Sequence, residues 1–175
     1  MTGTISLPLR VGRWQQVSEL SRAGFTVRNL GSKIVKGTVP IIDAWVDVDP
    51  SGQPAAVHAT LDLDAIDTGI AKRDADLRKP RLLDTANHPV MTFVGDRPRP
   101  VEIGWQIPGR LEVRATADVT LEAQVVQAGE GGEAGDVSVR ATVTVDRRRL
   151  GVTAPRLMIG HYVSITVDAV FRPPN

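Results

Sequence analysis

Five side chains between residues 67 and 88 are of types that could do chemistry: Asp67, Arg73, Asp74, Asp84 and His88. A carboxylate or imidazole held beside an arginine can act as a general base next to a cation that stabilises an electrophile. The same residues also have a purely structural use. Asp67 and Asp84 precede turn-like segments, where they can accept backbone N–H groups, and Arg73 can pair with a carboxylate to hold its segment down. The structural use is the favoured one, so no enzyme activity is expected.

Other chemistries have less support. His58, His88 and His161 are far apart, with no H-x-x-x-H or H-E-x-x-H spacing, and there is neither a glycine-rich phosphate loop nor a G-x-S-x-G elbow. The chain has no cysteine, which removes disulfides, thiolate nucleophiles and cysteine-based metal sites. No metal and no cofactor is expected. Arg147, Arg148 and Arg149 form a short basic run that reads as a solvated turn.

With 21 Lys and Arg against 20 Asp and Glu, the net charge of +1 gives no global attraction to nucleic acid or an anionic surface. The first residues, MTGTISLPLRVGRW, have neither the apolar core nor the small-residue site of a signal peptide, so a cytoplasmic location is expected. No run approaches 18 apolar residues, and nothing is expected to span a bilayer. A length of 175 residues suits one domain, 1–175.

The elements that must position these residues are strands. In LEVRATADVTLEAQV, 111–125, every odd position is apolar and every even one polar, and the same period of two recurs from Val57, Val137 and Val163. One-sided strands in series form an antiparallel sheet, and without a long amphipathic helix to cover it the sheet must close on itself. The phase slips between Val35–Ile41 and Ile42–Val48, which predicts a bulge near Ile41. Parity also predicts a hairpin that pairs Val113 with Val119 and Arg114 with Asp118 around a turn of Ala115, Thr116 and Ala117. DPSGQP and QAGEGGEAGD (127–136) read as loops, the second as a hairpin tip. Between the strands, IAKRDADLR reads as a short helix over about 70–79, capped by Asp67 or Thr68 and stopped by Pro80.

The run AIDTGIAKRDADLRKPRLLDTANHPVMTF resembles the signature of the YceI-like proteins, approximately S-I-D-T-G, R-D-x-x-L, F-L-D and P-x-I-T-F. The opening is similar too, with Ser21, Phe25, Val27, Val35 and Gly37 in its strand pattern, as is the close, TVDRRRLGV followed by YVSITVDAVF. Two family histidines are replaced, by Leu20 and Asn29, so head-group contacts assigned to them do not transfer. The resemblance implies an all-β, eight-stranded, antiparallel lipocalin-like barrel with the helical insert near its mouth. It also implies a long amphiphile, a polyisoprenoid or fatty-acid derivative, as a lipid ligand in the lumen.

On that reading the lumen is lined by Phe25, Val27, Leu61, Leu63, Leu77, Met91, Phe93, Val143 and Ile165, and the rim carries Arg73, Asp74, Arg78 and His88. Binding, transport or storage of such a hydrophobic ligand is the expected role. The alternatives are a filled barrel acting as a protein–protein interaction module, or an enzyme acting on a lipid at the mouth. Of Trp14, Trp45 and Trp105, Trp45 shares phase with Asp43 and Asp47 on the outer face, which would suit a homodimer.

Overall fold

The computed structural model describes residues 9–28, 33–128, 135–154 and 159–175. Eleven strands fuse into eight staves: β1 (Gly12–Gln16) with β2 (Arg22–Arg28), β3 (Ile34–Val39) with β4 (Ile41–Val48), β5 (Pro54–Asp62), β6 (Val90–Asp96) with β7 (Arg99–Pro100), β8 (Trp105–Glu112), β9 (Thr116–Ala128), β10 (Val137–Asp146) and β11 (Tyr162–Arg172). Every pairing is antiparallel, and the order β4–β5–β6–β8–β9–β10–β11 is closed by β1, which pairs with β4 through Trp14↔Val46 and with β11 through Gln15↔Arg172. Closure satisfies the strand edges that an open sheet of this size would expose.

The phase slip resolves as expected. Ile41 pairs with Leu61 and Asp43 with Thr60, leaving Ile42 as the extra residue of a bulge with its side chain exposed. The hairpin needs a correction. Odd residues do face odd ones, but the partner of Val119 is Gly109 and that of Asp118 is Arg110, so the turn is Val113, Arg114 and Ala115. The alternation begins at Leu111, whereas the strand begins at Trp105 and runs through Pro108 and Gly109. Tertiary partners decide where the chain reverses: the Arg114 and Ala115 N–H groups both donate to the Leu150 carbonyl, and Arg114 Nη1 donates to the carbonyls of Pro80 and Leu82.

The insert also differs from its expected capping. Helix α1 is Ala71–Leu77, with Ile70 at its N-cap and no side-chain cap. Neither Asp67 nor Thr68 caps it. Instead Asp74, inside the first turn, reaches back to accept from the Thr68 N–H (2.9 Å) and hydroxyl, while Asp67 closes a local turn with the Gly69 N–H. The tip expected over 127–136 falls, at 129–134, outside the described residues, as does Asn29. Among the described residues no helix is long and apolar enough to cross a membrane.

Candidate functional site: an apolar lumen in two chambers

Small side chains leave the barrel hollow. The inward set of β4, β5, β9, β10 and β11 includes Ala44, Ala59, Ala123, Ala141 and Ala169, and together with valines these line a chamber of about 150 Å³, counted as space open to the centre of a water molecule. One water needs roughly 10–15 Å³ on that measure, so the chamber is a true void. A second chamber of about 100 Å³ lies toward the end covered by α1, lined by Phe25, Val27, Leu63, Leu77, Leu82 and Val113 among others. The walls of both are apolar almost without interruption.

Aromatic side chains could have filled this space, but close backbone contacts hold two of them to the wall. A Cβ on Gly95 would come within 2.8 Å of the Phe93 ring, and one on Gly109 within 2.7 Å. Phe25 lies as closely over Gly37. The glycines therefore let the two rings sink against neighbouring strands and keep the barrel axis open.

The chambers share three lining residues, Leu61, Met91 and Ile165. Leu61 and Met91 are cross-strand partners on β5 and β6, and Ile165 is on β11, nearly opposite β6 in the ring. The two chambers thus adjoin, and these three side chains stand between them as a waist. Each of the nine residues expected in the lumen lies on a chamber wall: Val143 and Phe93 in the first, Phe25, Val27, Leu63 and Leu77 in the second, and the other three at the waist.

The expected rim is arranged differently. Arg73, Asp74, Arg78 and His88 line neither chamber. Arg73 donates to the Thr68 hydroxyl (2.8 Å) and carbonyl (3.0 Å), Arg78 to the Asp64 carbonyl (3.4 Å), and the backbone of His88 to that of Asp84. The carboxylate of Asp84 accepts from Asn87. The carboxylates of Asp67, Asp74 and Asp84 are thus occupied by local hydrogen bonds. Among the described residues no group of three or more His, Asp or Glu is placed to hold a metal.

Asp74 is buried, and its bond from the Thr68 hydroxyl, reinforced by the Thr68 N–H and the positive charges of Arg78 and Arg73, holds its carboxyl below the ordinary value of 3.8. A lowered carboxyl pKa stabilises the fold above the unfolded-state value, and that contribution is lost as pH falls through the folded-state value. Asp74→Ala is therefore expected to melt at a lower temperature than the natural sequence at pH 7, with the gap shrinking below about pH 4. Thermal melts across pH 2–7 check this, and a gap independent of pH would show that the carboxylate charge is not what matters.

The basic run divides: Arg148 and Arg149 are exposed, as a solvated turn requires, but Arg147 is not. Arg147 is only 3% exposed, and its guanidinium donates to the carbonyls of Gly160, Val152, Ala154 and Ile159 at 2.7–3.0 Å. It borders the second chamber, yet that wall shows no polar surface, so the stem faces the lumen and the charged head faces the loop. Burial pushes its pKa down. Trp45 does lie on the outer face, but it is not bare: the Arg13 guanidinium sits 3.7 Å from its ring centroid and His58 stacks on it at 5.2 Å.

The YceI-like domain model matches residues 14–171. The chain belongs to the YceI-like family. Protein YceI of Escherichia coli O157:H7 is 32% identical over 109 residues, 61% of this chain and 56% of the relative; the match therefore spans little more than half the length of that protein. The crystal structure of Burkholderia cenocepacia BcnA superposes with a TM-score of 0.76 at 18% identity, covering 89% of this chain and 98% of that one. A polyisoprenoid binding domain from Saccharophagus degradans, described as implicated in plant cell wall breakdown, gives 0.64 at 13% identity, covering 94% and 100%. At these identities the superpositions establish the shared family fold.

Proposed function

We propose that the protein is a non-catalytic carrier of a long-chain amphiphile, isoprenoid or fatty, whose tail threads both chambers of the lumen. The observation that carries this is the pair of apolar chambers that adjoin at Leu61, Met91 and Ile165. A polar substrate would lose its hydrogen bonds to water there and gain none, whereas a hydrocarbon tail loses nothing. Burying about ten methylenes supplies roughly 8 kcal/mol before ordering costs, enough for micromolar or tighter binding. The polyisoprenoid binding described for the Saccharophagus domain supports the same class of ligand.

Chloroform–methanol extraction of natively purified protein, followed by mass spectrometry, is expected to return a long-chain lipid in near-stoichiometric amount. If no lipid is extracted and the apolar dye N-phenyl-1-naphthylamine does not bind either, the carrier reading fails.

A further inference from the structure

The two ends of the barrel are built differently. At the α1 end the second chamber is lined from outside the strands by Leu63, Ile66, Leu82, Leu150 and Val152 among others, each of these five no more than 6% exposed. They come from two stretches far apart in sequence, and the β8–β9 turn ties those stretches together: Arg114 Nη1 donates to the Leu82 carbonyl, while the Arg114 and Ala115 N–H groups donate to that of Leu150. Arg147 gathers the carbonyls of Val152 and Ile159 behind them. This end has a floor.

At the other end the first chamber runs out to where the strands stop. Val48 and Pro54, paired at the end of β4 and the start of β5, line it, as do Val137 and Phe171, paired at the start of β10 and near the end of β11. In the ring of eight staves β5 and β10 stand on opposite sides, so Pro54 and Val137 face each other across this end. Among the described residues only Leu9 and Pro98 reach the first chamber from outside the strands, and both, like Pro54 and Val137, are partly exposed. No described loop residue that lines this chamber is buried.

We propose that the lumen is blind at the α1 end and is entered at the opposite end, between Pro54 and Val137, so that cargo goes in tail first, keeps its head group in water there, and has one polar end only. The proposal rests on the carrier reading above and adds the direction of entry and the class of amphiphile. The insert is then the bottom of the pocket and not its mouth, in keeping with Arg73 and Arg78 lining neither chamber. A second polar group, carried inward on the far end of the tail, would be stripped of water against apolar walls that offer it no partner. Amphiphiles with a polar group at each end are therefore excluded.

The nine residues of β5 separate the two ends by about 30 Å of strand, far enough for a paramagnetic label to tell them apart. In isotope-labelled protein, 4-palmitamido-TEMPO, a fatty amide whose nitroxide is attached at the head, is expected to broaden away the amide signals of Gly52, Gln53 and Val137 and to leave those of Leu82, Leu150 and Val152 at most of their intensity. The reverse pattern, or equal loss at both ends, overturns the direction of entry and leaves the carrier intact. So does a nitroxide that fails to displace N-phenyl-1-naphthylamine from protein that binds the dye, because a head left in water tolerates the added ring. Displacement of the dye by 1,12-dodecanediol is expected to need about tenfold higher concentration than by 1-dodecanol, the effect of one buried hydroxyl without a partner. Equal displacement overturns the single-headed class. If neither dye nor nitroxide binds, the carrier reading falls and the direction of entry with it.

Discussion

Replacing Met91 or Ile165 by tryptophan should abolish binding of long-chain amphiphiles while sparing short ones. Both side chains stand at the waist shared by the two chambers, so an indole there closes the passage from the first chamber to the second. A tail that has lost about five buried methylenes forfeits roughly 4 kcal/mol, about a thousandfold in affinity. A chain short enough to end before the waist forfeits little. The expected signature is therefore a dependence on length: affinity rises with each added carbon in the natural protein and levels off in the variants. Val94→Trp, a comparable enlargement on the exposed outer face, should leave the length dependence unchanged. A displacement series from hexanol to hexadecanol reads this directly. If both waist variants retain the full length dependence, the tail does not cross between the chambers. Met91 is the better candidate for adjusting the waist in the natural protein, since its unbranched thioether has more rotamers than Ile165.

Period two in the sequence is enough to assign the inward faces of β5, β9, β10 and β11, because side-chain direction along a strand follows from backbone geometry alone. It explains why Leu61, Val143 and Ile165 face the lumen where parity puts them. Whether the barrel is filled depends on summed side-chain volume, which periodicity does not report. The signal was present all the same, in how many inward positions are alanine: Ala44, Ala59, Ala123, Ala141 and Ala169. The register of the β8–β9 hairpin was illegible for a different reason. Its turn is fixed by carbonyls of residues 80, 82 and 150, distant in sequence, and not by turn chemistry of its own. Proline and glycine at 108 and 109 disguised the first strand of the pair.

Arg147→Met is expected to be the most destabilising single substitution in the described part of the chain. Methionine keeps an unbranched stem against the second chamber but has no donor, so the carbonyls of Val152, Ala154, Ile159 and Gly160 lose the group that gathers them. Each buried carbonyl left unpaired costs about 1–3 kcal/mol, and relief from burying a guanidinium returns part of that, so a net loss of about 3–5 kcal/mol is expected. Arg147→Lys should not rescue it. An ammonium has three donors on one atom and cannot span four carbonyls that the planar guanidinium reaches from three nitrogens. The neighbouring Arg148 makes the comparison sharp: it is exposed, and although its bonds hold the Asp146 carboxyl down to about 2, exposed pairs contribute little, so Arg148→Met should cost far less. Urea unfolding of the three variants measures these differences. Equal losses for Arg147→Met and Arg148→Met would mean that buried hydrogen bonding at residue 147 is not what holds this end of the barrel. The loss should also reach the ligand, because Leu150, Val152 and Ile159 line the second chamber and are positioned by the same loop. Once those carbonyls are released, water can follow them in, and a chamber that was dry no longer favours a hydrocarbon tail. At a urea concentration where Arg147→Met remains folded, long-chain alcohols should therefore bind more weakly to it, while short ones confined to the first chamber bind as before.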